Sequence, residues 1–244
     1  MIKRLFIFFS MVVFISGCAT TRMITTPSAP PPDLGISAKD DNFSVSLNYV
    51  IVPNGPGSWV KGACWDEYVL TLRSITNKTI TLEQIRMIDP RGVYVHSGAS
   101  AAQLESMEEG VAKIYKNMDM STAAILGTDA IVSTVAQTAS IATNMAMIPL
   151  ADTATTLFAM APSQQVTNDL MDRTKIDSEI FRRQFTTVTL AGNATISGSA
   201  FFPTIPNPKD LVIDYRIGND NKALEMPLEK LAGLHVAPVK EKKK

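Results

Sequence analysis

The chain has 244 residues with 23 basic and 23 acidic side chains, two histidines and two cysteines. Charge balance removes the electrostatic case for nucleic acid, and His96 and His235, neither with another metal ligand within a few residues, argue against a zinc site. Past the N-terminal segments, roughly 200 residues suit one domain with an elaboration, or two small domains, large enough for a core without disulfides.

Lys3 and Arg4 precede an uncharged stretch from Leu5 to Ile15, the basic start and short apolar core of an export signal. The stretch is shorter than the roughly 20 residues that span a bilayer; the alternative is an ordinary buried first helix. Ile15, Ser16, Gly17 and Cys18 follow, an apolar residue and two small ones before a cysteine. This tetrad resembles the lipobox of bacterial lipoproteins. The resemblance implies a signal peptide over residues 1–17 and a lipidated Cys18 as the first residue of the mature chain. Ala19 and Thr20 stand where an aspartate would favour retention at the inner membrane, so it implies the outer membrane, with the protein facing the periplasm. Two or three acyl chains hold a protein stably where a single one does not.

Loss of Lys3 and Arg4 with the signal leaves 21 basic against 23 acidic residues. With Cys18 acylated, Cys64 has no partner for an internal disulfide. Between Ala63 and Trp65 it reads as a small core residue, with a reactive thiol or intermolecular pairing as the alternatives. Residues 18–41 lack periodic apolar positions and carry Pro30, Pro31 and Pro32. They read as a flexible, extended tether that stands the folded part off the bilayer.

From residue 42 the pattern is that of strands. "FSVSLNYVIV" (43–52), "DEYVLTLRSI" (66–75), "TITLEQIRMI" (79–88) and a short "VYV" alternate apolar and polar positions between turn residues. The alternation returns in "FTTVTLA", "ATISGSAFFP", "DLVIDYRI" and "KALEMPL". Residues 42–100 and 184–236 thus read as two halves of one antiparallel β-sandwich. "TLAGNATISGSAFFP" followed by "DLVIDY" also resembles a run in immunoglobulin-like modules of bacterial envelope proteins, which implies that fold and by itself no function.

Residues 101–183 differ in texture and read as a helical insertion rich in Ala, Thr and Met. "AAQLESMEEGVAKIYKNM" and "VTNDLMDRTKIDSEIFRRQF" have helix-forming composition, and between Met120 and Asn168 the charged residues are Asp129 and Asp152. Ala130, Thr134, Thr138, Ala142 and Ala146 recur every four residues, and Ala123 precedes Gly127 by the same step. Small residues at that spacing allow close helix approach, which makes these seven positions the candidate helix–helix or partner contacts. Pro149 and Pro162 end two helices of a hairpin. It reads either as a soluble insertion packed on itself or on a partner, or as an element that enters a bilayer or assembles into a ring. Gln137, Asn144 and frequent hydroxyls weigh against the bilayer.

Signals of catalysis are missing. "SWVK" (58–61) matches S-x-x-K in a glycine-rich loop without a companion triplet, and the nucleophile-elbow, phosphate-loop and dinucleotide patterns do not occur. Asp40-Asp41 and Glu108-Glu109 read as solvated charge. "LAGLHVAPV" reads as a last strand or cap, and residues 237–244 as a basic tail. The expectation is a mostly β envelope protein, not an enzyme, without metal or cofactor. It is lipid-anchored and contacts another envelope protein or itself through the hairpin; the alternative is an oligomeric, membrane-inserting part of a transport, pore or secretion assembly.

Overall fold

The computed structural model describes residues 21–116 and 164–236. Its strands are β1 (Ile36–Lys39), β2 (Phe43–Ile51), β3 (Trp65–Ser74), β4 (Ile80–Ile88), β5 (Tyr94–His96), β6 (Val188–Leu190), β7 (Thr195–Pro203), β8 (Asp210–Ile217) and β9 (Asp220–Pro227). Two helices, α1 (Ala101–Lys116) and α2 (Gln164–Arg183), fall between β5 and β6.

All named strand pairs are antiparallel. One sheet has the order β1-β2-β3-β7; the other has β5-β4-β8-β9, with β6 beside β4. β5 covers Arg86–Ile88 and β6 covers Ile80–Leu82, so the two short strands share one edge of β4 end to end.

Alternation along the strands fills the space between the sheets. Phe43, Val45 and Leu47 of β2, with Tyr68, Leu70 and Leu72 of β3, meet Leu82, Met87, Ile213 and Tyr215 of the opposite sheet, all buried. Two register shifts reconcile the sequence with this core. In β4 the inward residues are Ile80 and Leu82, then Ile85 and Met87, a change of parity that a strict two-residue period would turn to solvent. A bulge between Leu82 and Gln84 in the pairing with β8 absorbs the extra residue. β2 has the same device between Leu47 and Tyr49, which brings Val50 inward.

Turn chemistry follows the sequence. Gly218, with φ of 61°, opens the two-residue loop between β8 and β9, where a primed turn requires a left-handed first residue. Gly192 lies against the backbone of Asn77; a Cβ there would meet it at 2.7 Å.

The described part of the expected tether is not free. Met23 bridges Val60, the Ile24 amide donates to the Trp59 carbonyl at 2.9 Å, and the Lys61 amide donates to the Arg22 carbonyl at 2.7 Å. The Leu34 amide donates to the Asn48 carbonyl at 2.8 Å, and β1 pairs with β2 through Ile36–Lys39. The physical reason is a four-residue alternation, Ile36 and Ala38 against Ser37 and Lys39, long enough to add an edge strand. After β9 the chain forms a 3-10 turn at Glu229–Leu231 and caps one end of the core through Leu228 and Leu231.

This parity predicts a sharp contrast between neighbours. Leu70→Ala, at a fully buried site, should cost about 2–5 kcal/mol in urea unfolding. Thr71→Ala, on the outer face where its hydroxyl meets Ser197 at 3.0 Å, should cost less than about 1 kcal/mol. Equal losses at the two positions would contradict the assignment of faces.

Candidate functional site

The chemistry that the fold concentrates lies where α1 and α2 lie across the outer face of the first sheet. β3 and β7 turn Trp65 and Phe201 away from the main core, and Leu104 of α1 with Ile176 and Ile180 of α2 covers them. Trp59 and Val60, from the loop before β3, complete this second apolar cluster. Trp59 meets Phe201 edge to face, with ring centroids 6.5 Å apart.

Within the cluster sits a carboxylate. Glu67 points to the helix side of β3 at 2% exposure. Its oxygens accept the Trp59 Nε1–H at 2.7 Å and the Ser199 hydroxyl at 2.6 Å. Arg183 of α2 approaches Glu67 at 3.4 Å, donates to Glu179 at 2.7 Å, and places its guanidinium 4.9 Å from the Trp59 ring centre. Arg182 and Arg183 together hold the Glu179 carboxyl down at about 2, the hydrogen bond from Arg182 being the leading cause. One buried acid thus ties strand, loop and helix together.

The start of α1 is tied to α2 as well. Ser100 accepts the Gln103 amide at 3.3 Å, while the Gln103 side chain accepts the Ala99 amide at 2.8 Å, a reciprocal cap. Asp177 of α2 accepts the Ala101 amide at 2.7 Å, placing negative charge at the positive end of the α1 dipole. At the far end, the Tyr115 hydroxyl donates to Asp89 at 2.9 Å. Burial would raise the Asp89 carboxyl, yet hydrogen bonds from Val93, Arg91 and Tyr115 outweigh it and hold the group below its ordinary value.

Arg22 joins the N-terminal segment to both helices. Its backbone N–H donates to buried Asp172 of α2, and its guanidinium reaches Glu105 of α1 at 2.9 Å. Arg173 of α2 meets the other Glu105 oxygen at 2.6 Å.

A second buried acidic pair closes the end of the sandwich nearby. Asp66, fully buried on the core face of β3, lies 2.8 Å from His235 Nε2. Glu108 of α1 accepts the Thr204 amide at 2.8 Å. Desolvation, with the Asp66 charge adding to it, pushes Glu108 up to about 8 against the Thr204 hydrogen bond. Cys64, half-buried against the second cluster, is pushed up to about 12, chiefly by burial, so it remains a thiol and a poor nucleophile.

These contacts revise one reading of the sequence. The carboxylates of Asp40-Asp41 and Glu108-Glu109 are not all solvated: Asp40 accepts the amides of Asn42 and Phe43 and the Tyr215 hydroxyl, and Glu108 is buried. Trp59 of "SWVK" is a core residue and a hydrogen-bond donor to Glu67. The sequence also left Glu67 and Asp172 unnoticed. Glu67 bears a signal in hindsight, a charge on the same strand face as Trp65; Asp172 sits in a polar stretch that gives none. The lipobox residues Ile15, Ser16, Gly17 and Cys18, the positions Ala123, Gly127, Ala130, Thr134, Thr138, Ala142 and Ala146, and the basic tail 237–244 lie outside the described residues.

Small-molecule chemistry has little room here. A cleft of about 100 Å³ opens between the edges of β4 and β7, beside Gln84, Ser97 and Phe185. Cofactor and drug-sized pockets run to roughly 300–1,000 Å³. Among the described residues, no group of three or more His, Cys, Asp or Glu is arranged to hold a metal ion, and no helix is long and apolar enough to cross a membrane. The arrangement is suited to fixing two helices rigidly on a sheet.

Glu67→Ala should therefore cost about 3 kcal/mol in chemical denaturation, because Trp59 and Ser199 are left with buried unpaired donors. A loss below about 1 kcal/mol would show that the network does not hold the helices. Glu108 gives a pH signature. Its native proton affinity lies above that of the unfolded chain, so its favourable contribution is complete below about pH 4.5 and fades as pH rises toward about 8. Glu108→Gln should flatten that slope and raise stability at pH 9; an unchanged slope would contradict the assignment.

Comparison with family models, with curated proteins and with solved structures returned no match to this chain.

Proposed function

We propose that the chain is an acyl-anchored envelope lipoprotein of the outer membrane, facing the periplasm, whose immunoglobulin-like sandwich presents a helical insertion to another envelope protein or to a second copy of itself. The observation that carries the reading is the way α1 and α2, the two helices that bracket residues 117–163, are fixed on the outer face of one sheet: Leu104, Ile176 and Ile180 cover Trp65 and Phe201, Arg183 reaches Glu67 at 3.4 Å, and Asp177 ties α2 to α1. The helices that lead into and out of those residues are thereby fixed on the sandwich.

Strand order supports the finer fold assignment. Immunoglobulin sandwiches place A, B and E in one sheet and C, F and G in the other. With β2, β3 and β7 as A, B and E, and β4, β8 and β9 as C, F and G, the adjacencies are the same, and β5 takes the place of C′. β1 is then an added edge strand, and the insertion falls between C′ and E.

Anchoring is supported by Lys3 and Arg4, the apolar run and the tetrad Ile15, Ser16, Gly17, Cys18. Interaction is favoured over catalysis because the buried ionisable groups described above face structural partners and not a cleft.

The test exports the chain with Cys18→Ser behind a cleavable signal peptide, followed by cell fractionation and sizing. The reading predicts a soluble periplasmic protein, while the native chain sediments with outer membranes. A carbonate-resistant pellet, or a ring-sized oligomer in detergent, from the Cys18→Ser chain would overturn it. Such a result would assign the charge-poor insertion to a membrane-inserting transport or secretion assembly.

A further inference from the structure

We propose that the outward face of α2 rests on the same lipid surface that holds the acyl chains, with Leu170, Met171 and Phe181 entering the headgroup region as a second attachment. The inference rests on the anchor reading of Cys18 and adds to it a contact made by the folded body.

The face is defined by what α2 buries. Asp172, Ile176 and Ile180 turn toward the sheet and the N-terminal segment. At about 100° per residue, Leu170, Thr174, Ser178 and Phe181 fall on the opposite side, with Met171 at its margin. Leu170, Met171 and Phe181 are 65%, 58% and 66% exposed. Large apolar side chains on the outward face of an otherwise polar helix mark a contact surface.

Charge placement points to lipid as the occupant. By helical angle Asp177 borders this face beside Leu170, and it is turned to the amide of Ala101. Lys175 is exposed along the other margin, next to Arg182, whose guanidinium is paired with Glu179 at 2.6 Å. An apolar centre with cations at its border is the pattern of a helix lying in a membrane interface, where long basic side chains reach the headgroups.

Chain length sets the distance. The Arg22 backbone is fixed to Asp172 and its side chain to Glu105. Four residue steps separate Arg22 from Cys18, and an extended chain covers at most about 3.6 Å per step, so an acylated Cys18 keeps the bilayer within roughly 14 Å of Asp172. A helix with its side chains is about 10–12 Å across, which brings Leu170 and Met171, neighbours of Asp172 in sequence, within that reach. A long free tether would have removed this constraint, but the chain is already bound at Arg22, Met23 and Ile24.

The experiment uses the acylated full chain carrying Cys64→Ala and either Thr174→Cys or, as a control on β9, Lys222→Cys, each labelled with an environment-sensitive fluorophore. The chain is reconstituted in vesicles of phosphatidylethanolamine and phosphatidylglycerol, with and without lipids brominated in the acyl chain. The expected result is flotation with the vesicles, a blue shift and loss of emission to brominated lipid at position 174, and neither change at position 222. Flotation with a water-like, unquenched label at position 174 would overturn the inference and leave the anchor intact. A blue shift without quenching by brominated lipid would also overturn it, in favour of residues 117–163 or a second copy covering the face. A chain that is neither acylated nor floated would remove the anchor reading and this inference with it.

Discussion

The helix-covered patch of the first sheet depends on satisfying the Glu67 carboxyl group away from water. Its carboxyl group sits between Trp65 and Phe201 under a helix, a position that costs several kcal/mol unless each oxygen finds a donor. Trp59 and Ser199 supply those donors directly, and Arg183 adds a longer contact from α2. To supply them, the loop before β3 folds back over the sheet, β7 turns Ser199 outward, and α2 lies with its last turn above β3. Together with the Tyr115–Asp89 and Glu108–Thr204 contacts of α1, this network joins the helices to the sandwich.

Much of this architecture is legible in the sequence, and the gaps have physical causes. Period-two runs located β2, β3, β4, β7 and β8, because burial on one face imposes alternation that few other structures share. β1 escaped notice because four residues carry only two inward positions, Ile36 and Ala38, in a stretch dominated by proline and acid. The bulges in β2 and β4 could be suspected only where parity breaks, at "LNYV" and "LEQI", since alternation fails at the extra residue. The helix-covered patch was harder: Trp65, Glu67 and Phe201 alternate with core residues of their own strands, so both faces are buried and neither pattern declares which element covers it. Contacts spanning more than a hundred residues, such as Arg22 with Asp172, leave no local trace.

The same contacts relate the anchor to the insertion. The N-terminal segment reaches the body at Arg22, between Glu105 of α1 and Asp172 of α2, beside the helices that lead into and out of residues 117–163. An acyl group four residues upstream would thus hold the root of the insertion, and not the distant β8–β9 hairpin, next to the bilayer. Under the proposed reading, partner binding and membrane contact would be properties of one side of the molecule, with the sandwich as its support.

The most direct measurement is the mass of the N-terminal tryptic peptide from chain purified out of the membrane fraction. The account predicts a peptide that begins at Cys18, ends at Arg22 and carries a diacylglyceryl group with or without an N-acyl chain. A peptide that shows Cys18 unmodified, or preceded by Gly17, would contradict it.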